Sequence, residues 1–170
     1  MTETKPIVTL IQDVVSSINI VGLPVINYQA GNSMQIIKSL LEKDNSSNFK
    51  DTKFPLIALA TPVRMQRTEG GFYGRVKIPL ITIAAISDLN TDVIDRYAIG
   101  GTFLTTLYPV YFEFLKQLSY NELVTNEDDG TFKHILEEDP GVQNIPETAD
   151  FVDCINIRDL EFNFTQKINC

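Results

Sequence analysis

The first apolar pattern in the chain is helical. Pro6 suits a first helical turn, and Ile7, Leu10, Ile11, Val14, Val15 and Ile18 follow at the i, i+3, i+4, i+7 spacing of one buried stripe. Gly22-Leu23-Pro24 ends that helix, and Val25 to Tyr28 reads as a short strand. Asn32 or Ser33 then caps a second helix in which Met34, Ile37 and Leu41 share a side, before a polar loop from Asp44 to Lys53.

The segment Phe54 to Ile86 changes period. Its two ends are near-continuous runs of Leu, Ile, Val and Ala, the pattern of strands buried on both faces, and its middle carries Arg64, Arg67, Arg75 and Lys77 around Glu69-Gly70-Gly71. Four cations cannot be buried unpaired, so a hairpin with a core root and a solvent-facing arm over about residues 61–77 is expected. From Pro62 to Glu69 an extended strand covers about 25 Å, more than the radius of gyration of roughly 15 Å for a globule of this size. An arm of that reach can touch a neighbouring subunit.

Ser87 to Asn90 reads as a turn, and Thr91 or Asp92 as the N-cap of the longest helix, running to about Leu118. Ile94, Tyr97, Gly101, Leu104, Tyr108, Tyr111, Leu115 and Leu118 form one stripe, expected to be core, with Phe103, Leu107, Val110 and Phe114 as a second beside it. Two stripes imply two packing surfaces, the second lying against the N-terminal helices or against another subunit. Pro109 is expected to bend this helix without ending it. Residues 126–148 read as loop, with turns at Asp128-Asp129-Gly130 and Asp139-Pro140-Gly141 and a short strand near Phe132 to Leu136. In the last strand, Asp153 to Phe164, the alternation slips by one residue at Arg158-Asp159, the signature of a β-bulge. The order of elements predicts one α+β domain over residues 1–170: a mainly antiparallel sheet, helices on one face, and a long protruding β-hairpin.

Charge refines this picture through its distribution. The chain has 170 residues and a net charge of −8, yet Asn121 to Glu161 holds twelve acidic residues against Lys133 and Arg158 alone, whereas the hairpin is basic. An acidic chain without a broad basic face does not read nucleic-acid sequence, although an acidic wall suits a conduit through which DNA slides without sticking. No apolar run reaches a membrane span, and Met1 to Lys5 leads into an amphipathic segment instead of a signal sequence. Cys154 and Cys170 have no CxxC partner and are expected to be reduced thiols, Cys154 in the core.

Candidate chemistry is sparse. His134 is the only histidine, so neither a multi-histidine metal site nor a triad with a choice of bases can be built, and its acidic neighbours Glu137, Glu138 and Asp139 lack the spacing of a calcium loop. Gly70, Gly71 and Gly74 precede a strand, whereas a phosphate cradle needs a helix N-terminus. The expectation is a non-enzyme with no catalytic residues, cofactor or bound metal.

The sequence of segments, an amphipathic helix, FPLIALATP into a hairpin, GRVKIPLITIAAIS returning, an aromatic helix around LYPVYFEFLKQL and a final VDCINIRDLEFNF strand, resembles the neck and tail-completion proteins of tailed bacteriophages, the tail-terminator type in particular. The resemblance covers about Pro6 to Phe164. It implies a structural virion protein, assembled in the host cytoplasm, that forms a homo-oligomeric ring at the head-tail junction, joins portal or adaptor to tail proteins, and surrounds DNA passing through the lumen without specific binding or any membrane contact. The acidic region at about 121–150 would be an added contact loop. The interface residues expected are Arg64, Met65, Arg67, Phe72, Arg75 and Lys77, with acidic residues between Asn121 and Asp159 as partners. A small-molecule-binding or regulatory α+β domain acting in the cytoplasm is the alternative.

Overall fold

The computed structural model describes residues 5–44, 52–67, 73–88, 90–125, 132–143 and 151–165. In chain order its elements are α1 (Ile7–Ser16), β1 (Asn27–Gly31), α2 (Ser33–Asp44), β2 (Leu56–Ala60), β3 (Arg64–Arg67), β4 (Tyr73–Ile86), α3 (Val93–Tyr97), a π-helical turn (Phe103–Leu107), α4 (Tyr108–Tyr120), β5 (Val124–Thr125), β6 (Lys133–Gln143) and β7 (Phe151–Thr165). Two long apolar strands make the spine of the sheet: β4 and β7 pair antiparallel from Tyr73↔Thr165 to Ile86↔Val152. The far edge of β4 is shared end to end by β2 and β3, separated at Thr61-Pro62, where proline has no N–H for the ladder. The far edge of β7 is shared by β5 and β6, and β1 adds to β2 in parallel. The class is α+β with a mostly antiparallel sheet, as the element order predicts.

Both faces of the sheet are covered, unequally. Ile57, Leu59, Ile81, Ile83, Ile155 and Ile157 point to the main core, which is closed by α1 and by Phe103, Leu107, Val110 and Phe114. Their strand neighbours Leu56, Ala58, Ala84, Val152 and Cys154 point the other way, onto Leu40 and Ile36 of α2. The expectation of helices on one face therefore needs correcting at α2. Its buried stripe is Ile36 and Leu40, while Met34 is largely exposed. A parallel β1–α2–β2 crossover carries the helix over the sheet and sets it on the second face.

The expected bulge at Arg158-Asp159 is present and sits in the β6–β7 ladder. There Lys133↔Glu161 and Ile135↔Arg158 leave one extra residue on β7, and Asp159 takes a φ of 53°. The β4–β7 register stays unbroken because β4 changes phase at the facing position, from Val76 and Ile78 to Ile81 and Ile83. A second irregularity, between Asp139 and Val142, places the extra residue on β6, with Gly141 at a φ of 67°. Pro140-Gly141 is thus a bulge within an 11-residue strand; the expected turn and short strand belong to one element.

The aromatic helix differs from expectation in two ways. It is broken at Ala98–Gly101, and Pro109 sits in the first turn of α4 directly after the π-helical turn, where its missing N–H removes no bond of the α-helix. The core stripe is Phe103, Leu107, Val110 and Phe114, all fully buried, with Tyr111 and Leu118. Of the stripe expected to be core, Ile94 is 82% exposed and Leu104 47% exposed, while Tyr97, Tyr108 and Leu115 pack half-buried against the core.

Candidate assembly surface

The basic segment forms a hairpin, with Arg64↔Lys77 and Arg67↔Gly74 in register, but its second strand is not a separate arm. β4 remains paired to β7 as far as Tyr73. The expected tip, Phe72 included, lies outside the described residues. Because directly opposed residues in antiparallel strands share a face, Arg64 of β3, Lys77 of β4, Glu161 of β7 and Lys133 of β6 line up as one row across four strands.

That row divides the expected interface residues. Lys77 Nζ lies 3.0 Å from Asp159 and 3.4 Å from Glu161, and Arg75 Nη2 donates to Glu161 at 2.6 Å. Asp159, expected to meet a neighbouring subunit, and Glu161 beside it meet cations of their own chain. Burial pushes the Glu161 carboxyl up, but the Lys77 hydrogen bond and the charges of Arg75, Lys77 and Lys133 outweigh it and hold the group below the usual carboxylate range. The hydrogen bond to Asp159 leads the effects that raise the Lys77 ammonium. Arg64 and Arg67, by contrast, are exposed on β3 and form no ion pair among the described residues; Arg67 Nε reaches the Met65 sulfur at 3.4 Å. Met65 is half-buried and packs on the main core.

The opposite edge of the sheet is acidic. Along β6 the Tyr108 hydroxyl donates to Glu138, Asn156 Nδ2 donates to Asp139, and Arg158 pairs with Glu137. Tyr97 and Tyr108, both facing Glu138, have hydroxyls pushed up to about 12, Tyr97 chiefly by burial and Tyr108 chiefly by its bond to that carboxylate. His134 ties the same strand to α4. Its Nδ1 lies 2.8 Å from the Phe132 carbonyl, an acceptor, so the neutral ring carries hydrogen there and its Nε2 accepts from the Tyr111 hydroxyl at 2.7 Å. The sole histidine is a strut between sheet and helix.

Sequence reasoning missed the pair that organises the turn between β4 and the aromatic helix. Arg96 Nη1 donates to Asp153 Oδ1 at 2.6 Å, Nη2 to the Asp88 carbonyl at 2.7 Å and Nε to the Thr91 carbonyl at 3.1 Å, and the guanidinium also bonds Ser87. The Gly141 amide donates to the same Asp153 oxygen at 2.6 Å, so β6, β7 and the turn share one anchor. A cleft of about 750 Å³ opens beside it, lined by Ile86, Asp88, Thr91, Asp95, Ile99 and Thr102, with Ile99 wholly exposed. The signal in the sequence was Asp153 itself: a carboxylate inside VDCINI, a run buried on both faces, demands a cation.

Cys154 is a free, buried thiol pushed up to about 12 by burial, with Asp139 and Asp153 adding to the effect, so it stays protonated near neutrality. Among the described residues no helix is long and apolar enough to cross a membrane, and no three His, Cys, Asp or Glu side chains converge on a point that could hold a metal ion. No family model matches the chain, and no curated protein matches it.

Proposed function

We propose that this chain is a non-enzymatic structural subunit of a homo-oligomeric ring at the head-tail junction of a tailed bacteriophage, a neck connector or tail terminator that surrounds the DNA path and joins portal or adaptor to tail components. The observation that carries the reading is the pair Arg64 and Arg67, exposed on a sheet edge and without an ion pair among the described residues, while the cations beside them are neutralised within the chain. Charges left in that state fit a contact with another molecule. The order of elements supports the same reading, as do the exposed apolar side chains Ile94, Ile99 and Phe112 around the aromatic helix. A net charge of −8 suits a wall past which DNA slides. The test is the mass of the purified protein by light scattering together with electron microscopy: closed rings of one copy number are expected, and a monomer under all conditions contradicts the reading.

One observation favours the alternative. An apolar groove of about 250 Å³ lies between α2 and the second face of the sheet, lined by Ile36, Leu40, Phe54, Leu56, Leu80, Ala84 and Cys154 among others. A small apolar ligand seated there would raise the melting temperature, by an amount that grows with the logarithm of its concentration relative to Kd. A thermal-shift screen that finds such a ligand for a monomeric protein would favour the binding-domain reading.

A further inference from the structure

Four strands carry the sheet from one open edge to the other in the order β3, β4, β7, β6. Among the described residues β3 pairs with β4 alone, and β6 with β7 alone. Each therefore presents a row of backbone groups to whatever lies beside it, as edge strands do. The two edges differ in sign. β3 carries Arg64 and Arg67, neither in an ion pair among the described residues. On β6, Glu138 and Asp139 take their hydrogen bonds from the uncharged donors Tyr108 and Asn156 and form no ion pair among the described residues, where Glu137 meets Arg158. The exposed Ile135 and Leu136 precede them on the same strand.

We infer that copies of this chain join by edge-to-edge strand pairing, β3 of one against β6 of the next, so that the sheet continues from subunit to subunit. This rests on the ring reading and specifies its contact. Charge selects the partner edge: two β3 edges would set Arg against Arg and two β6 edges carboxylate against carboxylate, so only the mixed pairing is favourable. A mixed pairing is heterologous, the type of contact that closes into rings when the rotation allows. Direction agrees as well. Three antiparallel ladders separate β3 from β6, which makes β6 antiparallel to β3, and copies related by rotation about an axis along the strands keep that relation at the joint. Arg64 and Arg67 stand level with β4 residues 74–77, and Glu137 and Glu138 level with 82–83, so the joint is staggered along the strands, as in a barrel whose strands are inclined to its axis. Ion pairs on an exposed edge are weak singly; the backbone bonds and the apolar contacts of Ile135 and Leu136 supply the rest.

The test is a pair of charge-reversed chains, Arg64→Glu/Arg67→Glu and Glu137→Lys/Glu138→Lys, followed by sedimentation velocity at low salt over rising concentration, with circular dichroism to verify folding. Each variant alone carries like charges on both edges and is expected to associate about tenfold more weakly than wild type, or worse. Mixed one to one, each acidic edge again finds a basic one, and assembly is expected to return. If the Glu137→Lys/Glu138→Lys chain fails to fold, the Arg64→Glu/Arg67→Glu chain mixed with wild type replaces it. Its intact β6 accepts a wild-type β3 while its reversed β3 stops growth, so complexes shorten. Rings formed by either variant alone, or wild-type assemblies unchanged in size by the added variant, overturn this contact and leave the ring reading standing. A wild-type chain that is monomeric throughout counts against both.

Discussion

Arg96 and Asp153 form the one fully buried ion pair among the described residues, Nη1 to Oδ1 at 2.6 Å, with side chains 3% and 0% exposed. The guanidinium also lies over the Phe151 ring, 5.3 Å from its centre. Removing one member leaves the other as an uncompensated charge in the core. Asp153→Ala is expected to cost about 3–5 kcal/mol, and the double change Arg96→Met/Asp153→Leu much less than the sum of the singles. Urea denaturation of wild type, Asp153→Ala, Arg96→Met, Asp153→Leu and the double variant checks both statements, and additive losses of the two matching singles would show that the two side chains act independently.

Two adjacent glycines after α3 should respond differently to alanine. A Cβ on Gly101 would collide with the backbone carbonyls of Asp95 and Arg96, which cannot swing aside as a side chain can. Gly100 has open space around it and only its φ of 93° to resist substitution. Gly101→Ala is expected to cost about 1–3 kcal/mol or more, and Gly100→Ala about 1 kcal/mol. The two midpoints of denaturation should fall in that order.

Leu104 and Leu107 stand on the same helical run with opposite surroundings, one 47% exposed and the other fully buried. Leu107→Asp is expected to unfold the chain, since it places an unpaired charge in the main core, while Leu104→Asp should stay within about 1 kcal/mol of wild type. Circular dichroism melting curves compare them directly.

The charge row across β4 and β7 gives stability a defined pH dependence. The Glu161 carboxyl titrates below its ordinary 4.5 in the folded chain, so its contribution is present above that value and is lost as pH falls through the folded value. The Lys77 ammonium titrates above its ordinary 10.5, so its contribution is complete below that value and fades as pH rises through the folded one. Glu161→Gln should lower the melting temperature at pH 6 and converge with wild type as pH falls through the folded value. A constant difference between the two curves would show that the row is not electrostatically coupled.

Periodicity made most of the fold legible. α1 buries Ile7, Leu10, Ile11, Val14 and Val15 of its stripe and ends at Ser16, before Ile18, and the slip at Arg158-Asp159 appears as a bulge with Asp159 in the left-handed region. What pattern could not supply was the choice between adjacent stripes. Leu104 and Leu107 look alike in sequence, and they meet opposite surroundings within the π-helical turn Phe103–Leu107, whose wider winding a 3.6-residue period does not predict. The candidate surface was legible as charge and illegible as pairing. Arg64, Arg67, Arg75 and Lys77 form one cluster in the sequence, and cross-strand register alone sets Arg75 and Lys77 beside Glu161 and leaves the arginines of β3 at the edge.

The central claim is that this chain is built into a virion as a ring at the head-tail junction. The most direct measurement is quantitative mass spectrometry of any gradient-purified particles produced from the genome that carries this coding sequence, which reads the protein together with its neighbours. One ring per particle predicts a small fixed copy number, constant between preparations and unchanged by high-salt washing. Absence of the chain from the particles, with all of it recovered as free monomer from the lysate, would contradict the account.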